Sequence, residues 1–307
     1  MKILAAFLLV GAARLLLAQS GQTANPFLGR WDFTIAQERA NWLGVTSRDD
    51  GLEIWFQPTG GHVYQVKDFK PAGSHLTLYL QPASRKNPAL IWELDASGGK
   101  LTGVQEHGAE RTPLTGIPAP DLKRDEPASW TTPEPLFDGK DLNGWEPLDP
   151  AHNYWSARNG ELFNEKHGAN LRTTRKFDDF KLHIEYNCPD DGNSGIYLRG
   201  RYEVQVEYEP LSKNPPERRI GSVYGRLTPA VDLPRKPGTW ESFDITLVGR
   251  TLTVVRNGVL TIDHKEIPGI TGGALDANEA EPGPIFLQGD HTGGLKFRNI
   301  LVSIPKR

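Results

Sequence analysis

The sequence predicts an all-β protein in which a smaller antiparallel β unit precedes an antiparallel sandwich of two sheets. Three observations support this fold class. Apolar and polar residues alternate over many short segments, Gly and Pro separate those segments, and no long segment has the 3.6-residue period of an α-helix. The chain of 307 residues is longer than one compact core usually requires, so we expect two domains.

The first 18 residues are predicted to be an export signal that is removed from the mature protein. Lys2 is positively charged, residues 3–13 are almost wholly apolar, and Ala18 is small enough for cleavage. Because Arg14 interrupts the apolar run, the run is too short to span a bilayer. We expect a periplasmic or extracellular protein that has no membrane contact after cleavage.

Residues 26–116 are predicted to form the small β domain. Its alternating segments are residues 52–56, 62–66, 76–80 and 90–94. Gly29 and Trp31 resemble the opening of lipocalin-like barrels, in which the tryptophan plugs one end. A packing tryptophan in an ordinary β domain is the favoured alternative.

Residues 117–134 carry many prolines and charges, and proline cannot join a sheet interior, so we place the linker there.

Residues 135–307 are predicted to form the sandwich. Residues 180–187 alternate between an apolar and a polar face, and residues 201–208 do the same. The dipeptide Asn257-Gly258 lies between two further strand-like segments and predicts a two-residue hairpin turn. Cys188 is the single cysteine, so the chain cannot form an internal disulfide, and we expect this residue to be buried and inert.

Six separated segments of this half form an ordered set of motifs: PLFDGKDLNGW (135–145), DFKLHIEY (179–186), NSGIYLR (193–199), YEVQ (202–205), GPIFLQ (283–288) and KFRNI (296–300). Their order and spacing resemble the 3-keto-disaccharide hydrolase family, long known as a domain of unknown function. The resemblance covers roughly residues 133–305. It implies a lectin-like jelly roll of the concanavalin type. It also implies a carbohydrate-active enzyme that cleaves glycosides whose sugar carries a ketone at C3.

A ketone at C3 acidifies the C2 proton, so a base can remove it and the C1 substituent can leave by elimination, after which water adds to the enone. This chemistry needs a base at C2, stabilisation of the enediolate oxygen and an acid for the departing oxygen. From the resemblance we expect His291 or Glu203 to be the base and Glu185 to act as the acid or to orient it. We expect Arg199 and Gln205 to hold the ketone and the hydroxyls.

Some of these residues have structural alternatives. If the strands that carry Glu185 and Glu203 were neighbours, the two carboxylates would converge and one pKa would rise, whereas periodicity alone favours solvent-facing glutamates. Arg199 can instead form a structural ion pair inside the sandwich. Three further residues are assigned to substrate binding: Asn193, Gln288 and Tyr224.

The sequence requires no cofactor, although a divalent metal ion could be bound by carboxylates and His291.

Composition and missing motifs exclude several function classes. The formal net charge of -3 gives no reason to expect a nucleic acid or an anionic membrane as a partner. The sequence has no Gly-x-Ser-x-Gly elbow, no phosphate-binding Gly-rich loop and no Cys or His pair at zinc spacing. A carbohydrate is the expected partner, and the alternatives to an enzyme are a non-catalytic carbohydrate-binding module and a secreted interaction scaffold. Residues 213–220 are basic and rich in proline, and are predicted to form a rim loop.

Overall fold

The computed structural model describes residues 25–35, 39–84 and 87–306, and three antiparallel sheets provide most of its regular structure. The prediction of an all-β protein is confirmed. Within these ranges, two short 3-10 helices occur, at Pro150–His152 and Pro216–Arg218. None of the described helices has the length and apolar character needed to cross a membrane. The predicted export signal, residues 1–18, lies outside the described residues and stays a prediction.

The first sheet is a nearly closed barrel. Its strands are β1 (Gly29–Ile35), β2 (Arg39–Arg48), β3 (Gly51–Gln57), β4 (Tyr64–Val66), β5 (Phe69–Ala72), β6 (His75–Gln81), β7 (Leu90–Ser97), β8 (Lys100–His107) and β9 (Glu110–Pro118). The order is β4-β3-β2-β1-β9-β8-β7-β6-β5. The Tyr64 hydroxyl donates to the Leu80 carbonyl at 3.2 Å and links β4 with β6. Phe33 and Phe56 pack on Trp92 inside, with ring centroids 4.9 and 4.8 Å from it.

Two further sheets form the sandwich. Their strands are β10 (Glu134–Pro135), β11 (Trp145–Pro147), β12 (Trp155–Arg158), β13 (Glu161–Asn164), β14 (Leu171–Phe177), β15 (Phe180–Asn187), β16 (Asn193–Leu198), β17 (Tyr202–Glu207), β18 (Trp240–Val248), β19 (Thr251–Arg256), β20 (Val259–Glu266), β21 (Gly283–Leu287) and β22 (Leu295–Ser303). The smaller sheet has the order β11-β14-β21-β16-β17. The larger sheet has the order β12-β13-β22-β15-β18-β19-β20, with β10 beside β22. One apolar core joins both sheets, as the predicted jelly-roll sandwich requires.

Local patterns in the sequence correctly predict several details of this sandwich. Phe180, Leu182, Ile184 and Tyr186 of β15 are buried, while the residues that alternate with them are partly exposed. Asn257 and Gly258 form the turn between β19 and β20 with φ angles of 50° and 79°, which is the backbone conformation that this dipeptide accommodates best. Cys188 is fully buried, and burial raises the pKa of its thiol.

The barrel contacts the sandwich through the connecting segment and through one of its own loops. Arg250 of the sandwich holds the segment between β9 and β10, because its guanidinium donates to the Pro120 carbonyl at 3.0 Å. The loop between β3 and β4, residues 58–63, reaches the sandwich directly, because the Gly60 N–H donates to the Gly272 carbonyl at 2.7 Å. This second contact borders a polar cleft.

Candidate functional site

A cleft of about 400 Å³ opens on the outer face of the five-stranded sheet, beside the β3–β4 loop of the barrel. Its volume lies in the range of small-molecule sites. Strands β16 and β17 and the residues after β21 supply the floor, and the segment after β17 supplies a wall. Most of the predicted site residues line it: Asn193, Glu203, Gln205, Tyr224, Gln288 and His291. Their catalytic and binding roles stay predictions.

The floor results from the period-two alternation of the β16–β17 hairpin. Ile196 and Val204 point into the core, so Tyr197 and Glu203, which are paired across the hairpin, point to the opposite face. Gly195 leaves the space that the Glu203 side chain occupies, since a Cβ atom there would lie 2.4 Å from Glu203 Oε1. The glycine of the Asn-Ser-Gly motif therefore makes room for a carboxyl group.

Glu203 is 4% exposed and is held by two neutral donors. The Tyr197 hydroxyl donates to Oε2 at 2.8 Å. The Gln205 amide is best satisfied with its nitrogen toward Glu203 Oε1 and the Ser194 carbonyl, both at 3.0 Å. Burial raises the pKa of Glu203 to about 8, while the Tyr197 hydrogen bond lowers it and the charge of Asp290 raises it to a smaller extent. Such a carboxyl exchanges its proton near neutral pH, as a general base or acid must.

Tyr197 is a central site residue that the sequence pattern alone did not identify. Its ring stacks on Phe286, with 3.8 Å between centroids and 11° between planes. Its hydroxyl lies 3.5 Å from Gln288 Nε2. Burial and the adjacent Glu203 hold the pKa of Tyr197 well above its usual value, so it remains a neutral phenol. A signal was present, because Tyr197 lies two residues after Gly195 on the same face of an alternating strand.

The wall beside Asn193 carries a second carboxylate in a different electrostatic state. Glu209 Oε2 accepts from Asn193 Nδ2 at 2.9 Å and from Asn214 Nδ2 at 2.8 Å. Glu209 Oε1 pairs with the ammonium of Lys213 in the predicted rim loop. Burial raises the pKa of Glu209, but the hydrogen bonds from Lys213 and Asn214 outweigh burial and lower the pKa overall. These two carboxylates of the cleft thus differ, because Glu209 stays ionised while Glu203 titrates near neutral pH.

His291 and Asp290 lie at the opening of the cleft, in the turn that follows β21. Their side chains are each about half exposed, and His291 Nδ1 lies 3.0 Å from the Asp290 carbonyl. The Asn170 side chain accepts from the Gly289 N–H at 2.7 Å and holds this turn. Gly289 leaves no space for a side chain, since a Cβ atom there would lie 2.2 Å from the Ala169 carbonyl oxygen. His291 is therefore held at the rim and not on the floor.

Arg199 does not line the cleft, which contradicts the prediction that it binds substrate there. It occupies the turn between β16 and β17 with a φ of 53°, and its side chain is fully buried. The guanidinium donates to the carbonyls of Glu281 at 3.0 Å and Gly249 at 3.3 Å, and also to that of Glu279. Asp178 lies 3.7 Å away. Arg199 thus has structural contacts, mainly to backbone carbonyls and with Asp178 as its one ion-pair partner among the described residues, and it ties three loops together at the turn end of the hairpin.

Glu185 lies on the other sheet, so the condition for its convergence with Glu203 is not met, and it does not line the cleft where it was expected to act as the acid or to orient it. Strand β15 belongs to the eight-stranded sheet and β17 to the five-stranded sheet, and the apolar core separates their polar faces. Glu185 accepts from Arg298 Nε and Asn299 Nδ2, both at 2.7 Å. Burial raises the pKa of Glu185, but the hydrogen bonds from Asn299 and Arg298 outweigh burial and lower it. Glu185 is an ionised residue of the outer surface and has no place in the cleft.

The cleft does not fit the divalent ion that the sequence left open. Across the described residues, no group of three or more His, Cys, Asp or Glu side chains is placed to hold a metal ion. Within the cleft, Glu209 already accepts from Lys213 and two amides, and Glu203 accepts from two neutral donors. These paired oxygens therefore do not form a site for a divalent ion.

The barrel supplies the last side of the cleft. Gly60 and Gly61 of the β3–β4 loop line it. Their neighbour His62 accepts at Nδ1 from Arg218 Nη1 at 3.2 Å, and Arg218 itself lines the cleft. The His62–Arg218 pair joins residues 156 positions apart in the sequence. No local pattern could have indicated it.

The chain is similar to one protein family and to several solved structures. A family model described as a 3-keto-alpha-glucoside-1,2-lyase-like domain matches residues 132–303, more than half of the chain. No curated protein matches the chain significantly. A Parabacteroides distasonis protein described as a "putative glycosyl hydrolase" is 31% identical over 59% of this chain and 93% of its own, with a TM-score of 0.46. Another from that organism is 25% identical over 57% of this chain and 98% of its own, with a TM-score of 0.43.

Proposed function

Because the chain belongs to the family of 3-keto-alpha-glucoside-1,2-lyase-like domains, we propose that it is a carbohydrate-active enzyme that cleaves 3-keto-disaccharides or 3-keto-glucosides in the periplasm or outside the cell. A base removes the C2 proton, the C1 substituent leaves with its oxygen, and water adds to the enone. The observation that carries this proposal is the buried Glu203 carboxyl, whose pKa is raised by burial to about 8 on the floor of a polar cleft.

Glu203 is the base in this proposal. A carboxyl group with a raised pKa is a stronger base than an ordinary glutamate, and a pKa near the working pH balances base strength against the ionised fraction. The donors on its two oxygens, Tyr197 and Gln205, fix the orientation of the carboxyl group. A fixed orientation lowers the activation barrier, because the entropy cost of bringing the base into line with the C2 proton is paid before the reaction begins.

The remaining steps use Gln288, which lies close to Tyr197 on the cleft floor, and His291 at the opening of the cleft. Gln288 makes a long 3.5 Å contact with the Tyr197 hydroxyl, and its amide can turn to donate to the C3 oxygen as the enediolate forms. His291 gives a proton to the departing oxygen. Water then adds at C1 and returns its proton to His291, while Glu203 returns the first proton to C2. Both groups are restored, and the net reaction is hydrolysis.

The test is incubation of the purified protein with 3-keto-trehalose and with a 3-keto aryl glucoside, with and without a chelator. The wild type is expected to release the leaving group from both. Glu203→Gln should lower turnover at least 100-fold, since removal of a general base typically costs about two to four orders of magnitude. Glu185→Gln is the matched control, because this carboxylate lies on the opposite sheet and should be dispensable for turnover.

Three outcomes would contradict the proposal in different ways. Near-normal turnover by Glu203→Gln would reject the assignment of the base. Binding of glycans by the wild type without chemical change would support the carbohydrate-binding module instead. Loss of turnover on addition of chelator would show that a metal takes part, which the proposed side-chain mechanism does not include.

A further inference from the structure

The β3–β4 loop of the barrel is fitted closely against the cleft. The Gly60 N–H donates to the Gly272 carbonyl at 2.7 Å. A Cβ atom on Gly272 would lie 2.1 Å from the Gly61 carbonyl oxygen, so the sandwich backbone can approach this loop only because residue 272 is a glycine. Gly60 and Gly61 themselves have φ angles of 73° and 68° and present bare backbone to the cleft.

The barrel is also anchored to the sandwich immediately beside this loop. The Arg226 guanidinium lies 4.2 Å from the ring centroid of Trp42, a residue of β2. Arg226 Nη2 donates to the Ile270 carbonyl at 2.7 Å. These contacts fix the barrel on the segment that leads into Gly272. The β3–β4 loop therefore has a fixed position in the wall of the cleft.

His62 of this loop holds a cation in the cleft. A guanidinium has no acceptor atom, so the 3.2 Å contact requires Arg218 Nη1 to donate and a neutral His62 to accept at Nδ1. Burial and the positive charge of Arg218 both lower the pKa of His62, which agrees with a neutral ring. Arg218 lies close to Tyr224: burial raises the pKa of that phenol most, and Arg218 opposes the rise.

The end of the cleft formed by this loop is suited to a hydroxylated group. Arg218 supplies side-chain donors there, and Gly60 and Gly61 line it with backbone groups. Arg218 Nε is buried and has no hydrogen-bond partner among the described residues, so the side chain has an unmet need for an acceptor. A flat aromatic group would cover these donors without pairing them, whereas sugar hydroxyls can accept from them.

We propose that the β3–β4 loop and Arg218, positioned by His62, form the subsite for the leaving group, and that this subsite selects a second sugar or a polyol over an aryl group. The inference rests on the proposed cleavage of 3-keto-glycosides, in which the keto sugar occupies the floor at Glu203. The barrel thus contributes directly to substrate choice.

The test compares 3-keto-trehalose with a 3-keto aryl glucoside in three variants. His62→Ala removes the acceptor. His62→Asn keeps an oxygen near the Nδ1 position. His107→Ala, an exposed histidine in β8 of the barrel, is the matched control. His62→Ala should lower kcat/KM about tenfold for the disaccharide through a higher KM, with the aryl substrate within about twofold of wild type. His62→Asn and His107→Ala should stay within about twofold of wild type on both substrates.

Equal losses on both substrates, no loss on either, or no rescue by His62→Asn would overturn the proposal. Thermal unfolding of each variant separates a loss of specificity from a loss of folded protein. If the wild type cleaves neither substrate, the proposed reaction fails, and the subsite is decided by calorimetric binding of unoxidised trehalose. Binding about tenfold weaker to His62→Ala, and restored in His62→Asn, would uphold the subsite without the reaction. Equal binding, or no binding to the wild type, would overturn it.

Discussion

Glu203→Gln is expected to stabilise the protein at alkaline pH while it lowers turnover by about 100-fold or more. Burial raises the pKa of the wild-type carboxyl from 4.5 to about 8 in the folded state. Between these two pH values the folded protein keeps a proton that the unfolded chain releases, so the free energy of unfolding falls as the pH rises. Below this window the site imposes no penalty, and above it the penalty is complete.

The size of this stability penalty follows from the difference between the unfolded and folded pKa values of Glu203. Each unit corresponds to about 1.4 kcal/mol, so a span of roughly 3.5 units amounts to a penalty on the order of 5 kcal/mol. Glutamine has the same shape and no charge, and the Gln205 amide can turn its oxygen toward the new NH₂ group. The variant should therefore lack this part of the pH dependence.

Urea unfolding at about pH 5 and about pH 8.5, followed by tryptophan fluorescence, measures the effect. The chain has eight tryptophans to report on unfolding. The two proteins should have similar free energies of unfolding at the lower pH, and Glu203→Gln should be the more stable by several kcal/mol at the higher pH. A difference that is the same at both pH values would refute the reasoning, because it would mean that burial does not keep Glu203 protonated.

Glu209→Gln is the control of opposite sign within the same cleft. The hydrogen bonds from Lys213 and Asn214 outweigh burial and hold the pKa of Glu209 below 4.5 in the folded state. Its ionised form therefore contributes stability above that pH, and the contribution disappears as the pH falls through the folded pKa. The variant should be less stable than the wild type near neutral pH, with the difference vanishing in acid.

Two further substitutions test the floor of the cleft and the corrected role of Arg199. Gly195→Ala should lower kcat at least tenfold with an unchanged circular dichroism spectrum, because the added methyl group would lie 2.4 Å from Glu203 Oε1 and must displace it. A normal kcat would contradict the arrangement of the floor. Arg199→Ala should lower the free energy of unfolding by on the order of 3 kcal/mol in urea unfolding, since the buried carbonyls of Glu279 and Gly249 lose their donor. Its KM, from initial rates, should be unchanged, and a raised KM with unchanged stability would restore Arg199 to substrate binding.

Local patterns in the sequence determined the strands and most of the cleft floor. Alternation over residues 180–187 and 201–208 predicted which side chains face the core, and the structure confirms both faces. The Asn257-Gly258 turn was predictable because positive φ is a property of the residues themselves. Glu203 and Gln205 share a face for the same reason, since a strand alternates strictly.

Only the tertiary structure decided which strands face one another and which charges are buried. Alternation assigns Glu185 and Glu203 to polar faces, but it cannot say that those faces belong to different sheets on opposite sides of one core. It cannot show that Arg199 is enclosed by loops 50 and 80 residues away. The raised pKa of Glu203 and the barrel's contribution through His62 are likewise products of long-range packing. Strand pairing and burial depend on the whole chain, whereas alternation and turn conformation depend only on neighbouring residues.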